Sequence, residues 1–189
     1  MKTTNIMIVG VGGQGSLLAS KLLGRLLLNE GYDVKVSEVH GMSQRGGSVV
    51  TYVRYGDKVY SPIIDKGEAD FIVSFEKLEA ARYAAYLKKD GKIIVNSQEI
   101  EPMPVITGAA EYPHEALDNL VAKGMDIDCI DALTPALEAG SSKAVNIVLM
   151  GRLSKSLGID EDKWIEALKQ TVAPKFVEMN LKAFALGRQ

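Results

Sequence analysis

The stretch Ile6-Met7-Ile8-Val9-Gly10-Val11-Gly12-Gly13-Gln14-Gly15-Ser16 decides how the chain is read. A short apolar run ends in glycines, and Ser16 then opens a leucine-rich segment whose apolar positions Leu18, Leu22 and Leu26 recur every four residues. The pattern predicts strand, tight turn, helix. Gly10, Gly12 and Gly15 fit the spacing G-x-G-x-x-G, in which glycines permit the turn, let the backbone approach a ligand and allow the helix to pack on the strand. The free N–H groups at such a helix start suit an anion, commonly a phosphate. From the glycines alone, a nucleotide site and a plain βα corner stand about level.

Outward from this turn, Gly31 stops the helix, and Asp33 to Glu38 alternates as a second strand. Glu38 follows Gly15 at close to the ~20-residue spacing at which dinucleotide-binding folds keep an acid for the ribose hydroxyls. A solvated strand-end carboxylate is the competing reading. Val39 to Ser48 is a glycine-rich loop carrying His40, Met42, Gln44 and Arg45, expected to be a contact surface because loops at strand ends line the crevice of open α/β sheets.

Val49–Tyr55 and Val59–Ser61, separated by Gly56-Asp57-Lys58, read as a hairpin. Phe71–Ser74 reads as a buried parallel strand, Glu76–Leu87 as a helix with Leu78, Ala81 and Ala85 inward, and Lys92–Asn96 as a strand. Val105–Thr107 is expected to be a short strand, His114–Val121 a short helix and Ile127–Asp131 a further strand holding a buried, unreactive Cys129. The remainder is helical, with Ser141 or Ser142 as a cap, acids at 160–162 opening one helix and Pro174 another. The expectation is a Rossmann-like α/β fold: a doubly wound, mostly parallel sheet with helices on both faces and a helical C-terminal part, one domain over residues 1–189.

Composition narrows the function. Among 189 residues the formal net charge is −2 and the pI near 5.8, which offers nucleic acid or an acidic membrane no general attraction. No apolar run approaches the ~20 residues of a membrane span, and the glycine turn interrupts the apolar N-terminal stretch before it forms a signal core. One cysteine supports neither a disulfide nor a cysteine metal site, and a cytoplasmic setting is expected. His40 can act as an acid or base near neutrality; His114 is a weaker candidate. Lys143 and Asn146 lie one turn apart at a helix start and are candidates to face the crevice, against a solvated helix face.

Taken together, Gly10–Gly15, the loop His40-Gly41-Met42-Ser43-Gln44-Arg45-Gly46-Gly47-Ser48-Val49, Lys143-Ala144-Val145-Asn146 and the ending Asn180–Gly187 resemble the gamma-type subunit family of 2-oxoacid:ferredoxin oxidoreductases over essentially the whole length. Arg45, Gly46 and Gly47 match the general pattern, while His40 to Gln44 are similar to the indolepyruvate branch and its beta-type subunit. The resemblance implies a complex that oxidatively decarboxylates a 2-oxoacid to an acyl-CoA with thiamine diphosphate and magnesium, passing electrons through [4Fe–4S] clusters to ferredoxin. One cysteine is too few for such a cluster, so a large partner subunit is expected to carry thiamine and clusters, and the isolated chain is expected to be inactive.

The resemblance casts Arg45 as the partner of a substrate carboxylate or coenzyme phosphate and His40 as the group that orients or protonates an intermediate. Gly10, Gly12, Gly13, Gln14, Gly15, Ser16, Glu38, Gly41, Met42, Ser43, Gln44, Gly46, Gly47, Lys143 and Asn146 become candidates to border the cofactors. A self-contained NAD(P)-dependent dehydrogenase and a non-enzymatic nucleotide-binding adaptor are the alternatives.

Overall fold

The computed structural model describes residues 3–40 and 47–189, His40 through its backbone alone. Its first strand, β1 (Thr4–Val11), has six consecutive buried residues, as a strand covered on both faces requires. The glycine turn leads from it into α1 (Ser16–Asn29) and β2 (Asp33–His40). β3 (Ser48–Gly56), β4 (Ala69–Ser74), α2 (Lys77–Tyr83) and β5 (Leu87–Asn96) follow. Then come α3 (Met103–Ile106), α4 (Ala116–Ala122), β6 (Asp126–Ile130), α5 (Leu133–Ala139), α6 (Val145–Ser154), α7 (Glu161–Thr171) and α8 (Val177–Gly187).

The sheet order is β2-β3-β1-β4-β5-β6. β1, β4, β5 and β6 pair in parallel, and β3 alone runs against its neighbours, paired with β1 from Val11↔Ser48 to Thr4↔Tyr55 and with β2 from His40↔Val49 to Asp33↔Gly56. This is the mostly parallel α/β sheet the sequence implies, with one antiparallel strand inserted where a βαβ unit would set β2 directly against β1. Alternation along β1 separates two cores. Ile6 and Ile8 face α1 and the C-terminal helices, around Trp164 and Phe184. Met7 and Val9 face the layer of α2 and α4, with Ile72, Ile93 and Leu117.

Four local expectations are corrected. Val59–Ser61 is not the second arm of a hairpin, because both edges of β3 are already taken by β1 and β2. That segment is held by other bonds instead: Val59 N donates to Asp33 Oδ2 (2.8 Å), and Arg54 donates to the carbonyls of Ser61 and Ile63. Residues 105–107 do not form a strand; Pro102 is the N-cap of the single helical turn of α3, Pro104 lies in that turn, and Thr107 Oγ1 donates to the Met103 carbonyl.

The helix after β4 stops at Tyr83 and β5 begins at Leu87, not Lys92. Its phase differs as well, because the Glu76 carboxylate caps the Glu79 N–H and turns Glu79, Ala80 and Ala84 inward. Cys129 is exposed on the edge strand β6, not buried. Partial desolvation still pushes its thiol pKa up, which keeps it protonated near neutrality.

Candidate functional site around the glycine turn

Two glycines of the turn have left-handed backbone, Gly13 at φ 101° and Gly15 at φ 90°, where a Cβ is strained. Gly10 is needed for space: a Cβ there would lie 2.9 Å from Gln14 Oε1 and 3.0 Å from Phe75 Cβ. Gln14 latches the turn. Its Oε1 accepts from Val11 N (2.7 Å), and its Nε2 donates to the Phe75 carbonyl (3.2 Å) and to Gln98 Oε1 (3.3 Å). The turn is thereby tied to the carboxyl ends of β4 and β5. Replacing Gln14 by alanine strands the Val11 N–H, while the Phe75 carbonyl keeps its bond from Asn96 Nδ2 (3.2 Å), and is expected to cost about 1–3 kcal/mol. Thermal unfolding checks this, and an unchanged melting temperature would show that the latch is idle.

Ser16 begins α1 behind Gly15, with no side-chain cap and no acid in the first turn. Neither the cap nor the first turn compensates the positive end of the helix. Two open cavities meet at this point. One, of about 340 Å³, is lined by Gly12, Gly13, Gly15, Ser16, Leu17, Glu38 and Val49. The other, of about 560 Å³, includes Gly13, Gln14, Gly15, Gln98, Lys143 and Asn146 in its lining. Glu38 and Lys143 thus border opposite sides of the same turn.

Glu38 accepts a 3.3 Å hydrogen bond from Thr51 Oγ1 across the β2–β3 pair. The inserted β3 places it two strands from β1, one strand spacing of about 4.8 Å farther than an adjacent second strand would. Asn146 lies beneath the turn. It is 3 % exposed, donates from Nδ2 to the Gly15 carbonyl (3.2 Å), and its Oδ1 has no partner among the described residues. A Cβ on Gly15 would come within 2.6 Å of that Nδ2, a second reason for glycine there.

The glycine-rich loop is joined to the turn: Gly12 N donates to the Gly47 carbonyl (2.9 Å). One residue on, Ser48 Oγ donates to the buried Glu79 carboxylate, with Tyr83 Oη 3.2 Å away and Arg82 Nε bonded to the same carboxylate at 2.9 Å. Gly41, Met42, Ser43, Gln44, Arg45 and Gly46, with the His40 side chain, lie outside the described residues. His114 is apart from the turn, its Nδ1 2.9 Å from Glu99 on an exposed surface.

Sequence reasoning missed Gln98, Glu76 and Glu79. Glu76, 1 % exposed, caps α2 and accepts from Tyr112 Oη at 3.1 Å; burial pushes its pKa up, opposed by these hydrogen bonds. Burial, helped by the neighbouring Glu76, likewise pushes the Tyr112 hydroxyl pKa up. The signal available was position: Glu76 stands just beyond the end of β4, where an N-cap acid starts a helix.

Among the described residues no three His, Cys, Asp or Glu side chains cluster as metal ligands, and the one thiol compares with the four that hold a [4Fe–4S] cluster. The donor set of this chain does not fit such a cluster by itself. No helix among the described residues is long and apolar enough to cross a membrane. The bare start of α1 with Lys143 nearby does fit a phosphate-type anion.

The family model described as pyruvate ferredoxin/flavodoxin oxidoreductase matches residues 5–189. Relatives named indolepyruvate oxidoreductase subunit IorB, from Thermococcus kodakarensis and Pyrococcus horikoshii, are 45 % and 46 % identical; each alignment covers 99 % of this chain and 95 % of the relative. A solved pyruvate oxidoreductase subunit from Thermotoga maritima, 21 % identical, superposes with a TM-score of 0.75 over 99 % of this chain and 96 % of that one, and shares the fold.

Proposed function

The chain belongs to the pyruvate ferredoxin/flavodoxin oxidoreductase family, and we propose that it is the small subunit of an indolepyruvate-type enzyme that converts an arylpyruvate to its acyl-CoA and passes electrons to ferredoxin. The observation that carries this reading is the convergence of two cavities on one uncapped helix start, within a chain similar over nearly its whole length to the indolepyruvate subunits. A large partner subunit holds thiamine diphosphate, magnesium and the [4Fe–4S] clusters. Thiamine diphosphate, when bound there, supplies the decarboxylation chemistry.

This chain closes the shared cavity. The first-turn N–H groups of α1, with Lys143 beside them, hold a phosphate of coenzyme A through the dipole and direct hydrogen bonds. Arg45 supplies a bidentate fork to the substrate carboxylate or to a second phosphate. His40 orients or protonates the bound intermediate. The link between Gly12 and Gly47 supports joint action of turn and loop, because movement of one displaces the other. The reading also places the protein in the cytoplasm, with ferredoxin reached through the complex.

The self-contained dehydrogenase is disfavoured by the inserted β3, which sets Glu38 back from the ribose position. The test is to purify the chain alone, the large subunit alone and the two together, and to assay arylpyruvate- and coenzyme A-dependent reduction of a viologen dye. Activity is expected only when both are present. Full activity in either subunit alone, or micromolar NAD binding by the lone chain that Glu38→Ala weakens, would overturn the reading.

A further inference from the structure

The outer face of α1 is unlike the rest of that helix. Its buried side carries Ala19, Leu22, Leu23, Leu26 and Leu27, but Leu17 and Leu28 are 52 % and 58 % exposed although apolar. Between them Lys21 and Arg25 lie one turn apart, and neither has an ion-pair partner among the described residues. These side chains border an open groove of about 520 Å³, floored by Ser20 and Gly24 and walled by Val36 of β2, itself 46 % exposed, and by Gln170 and Thr171 of α7.

The groove is held in shape from its far end. Asn29 Nδ2 donates to Gln170 Oε1 (3.1 Å), and Lys163 pairs with Glu30 at 2.7 Å. Its near end neighbours the smaller cavity of the glycine turn, with Leu17 lining both.

We propose that this groove docks an amphipathic helix of the large partner subunit, whose apolar side chains cover Leu17, Leu28 and Val36 and whose carboxylates, one turn apart, meet Lys21 and Arg25. The inference rests on the reading of the chain as a subunit. From Leu17 to Leu28 the stripe is about 16 Å long, some three turns of a facing helix. Two unpaired cations on an apolar stripe, in a chain of net charge −2, call for acids on the occupant rather than for a generally anionic surface.

A second copy of this chain is the poorer occupant. A twofold pairing of α1 with itself sets Lys21 of one copy against Arg25 of the other, like charge on like. Two cations are also a weak anchor for a lipid surface. The shared wall at Leu17 puts the docked helix beside the cavity that the two subunits share.

The test measures the affinity of the full chain for its thiamine- and iron–sulfur-bearing large subunit at two salt concentrations. Three variants accompany the wild type: Lys21→Glu/Arg25→Glu, Leu28→Ser, and the control Lys66→Glu/Lys123→Glu on surfaces away from the groove. Circular dichroism and melting establish that each folds. The expected result is at least ~10-fold weaker binding for the charge-reversed pair with loss of its salt dependence, several-fold weaker binding for Leu28→Ser, and wild-type affinity for the control.

Wild-type affinity in Lys21→Glu/Arg25→Glu overturns the docking site while leaving the subunit reading intact. Failure of the wild-type chain to bind the large subunit removes the subunit reading itself, and the docking site with it. A dimer of the lone chain in sedimentation, lost in the charge-reversed pair, assigns the groove to a second copy and overturns the proposal. Binding to vesicles of phosphatidylcholine with phosphatidylserine, lost in the same variant, overturns it in favour of a membrane.

Discussion

Gly15→Ala is expected to destabilise the protein by about 2–4 kcal/mol, a fall in melting temperature of roughly 5–15 °C for a chain of this size. Two costs combine. The backbone at φ 90° penalises any L side chain by about 1–2 kcal/mol. The new methyl also falls 2.6 Å from Asn146 Nδ2, so the amide must leave the Gly15 carbonyl and strand a second polar atom beside the unpartnered Oδ1. Gly13→Ala separates the two costs. Gly13 has φ 101° but nothing within 4 Å of the Cβ position, so only the backbone penalty applies. The difference between the variants measures the Asn146 contact, and Gly15→Ala combined with Asn146→Ala should recover part of the loss. Equal melting temperatures for Gly13→Ala and Gly15→Ala would show that Asn146 does not support the turn. The proposed coenzyme A role of the turn further predicts that, with the large subunit present, Gly15→Ala raises the KM for coenzyme A at least ~10-fold, with a smaller change in kcat.

The glycine turn was legible because its determinants are local: spacing, apolar run and helix period all lie within one βα unit. The same locality hid the position of β3. Ser48–Gly56 reads as a strand, but nothing within it says that both its edges are claimed by β1 and β2, so Val59–Ser61 looked like its partner. Pairing of distant strands is decided by the whole sheet. The one-turn spacing of Asn146 from Lys143 makes both candidates, yet the spacing does not reveal that the Asn146 amide turns under Gly15 while Lys143 lines the cavity. Glu79 was missed because a carboxylate in a helix reads as solvated; the capping bond from Glu76 rotates it inward to meet Ser48. The site is thus a readable turn resting on supports that are set by tertiary contacts.

The second large effect is expected where α6 crosses α8. A Cβ on Gly151 would penetrate the Phe184 carbonyl oxygen and lie 3.2 Å from Gly187 Cα, while a Cβ on Gly187 would penetrate the Val148 carbonyl oxygen and lie 2.8 Å from its carbonyl carbon. Each glycine accepts the backbone of the other helix, which brings the axes closer than side chains allow. Alanine has the better helix propensity by about 1 kcal/mol, so a crossing able to relax would make Gly151→Ala stabilising. Backbone atoms cannot rotate away as side chains do, and overpacking of this kind costs about 1–3 kcal/mol, sometimes more. Spreading the helices would also disturb the Trp164–Phe184 ring contact, whose centroids are 5.6 Å apart at the centre of the larger core. Gly151→Ala is therefore expected to lower the melting temperature by several degrees, and Gly187→Ala by as much. The double variant should cost less than the sum, because helices already separated by the first methyl have room for the second. A rise in melting temperature for either single variant would show that the close crossing is not maintained in solution.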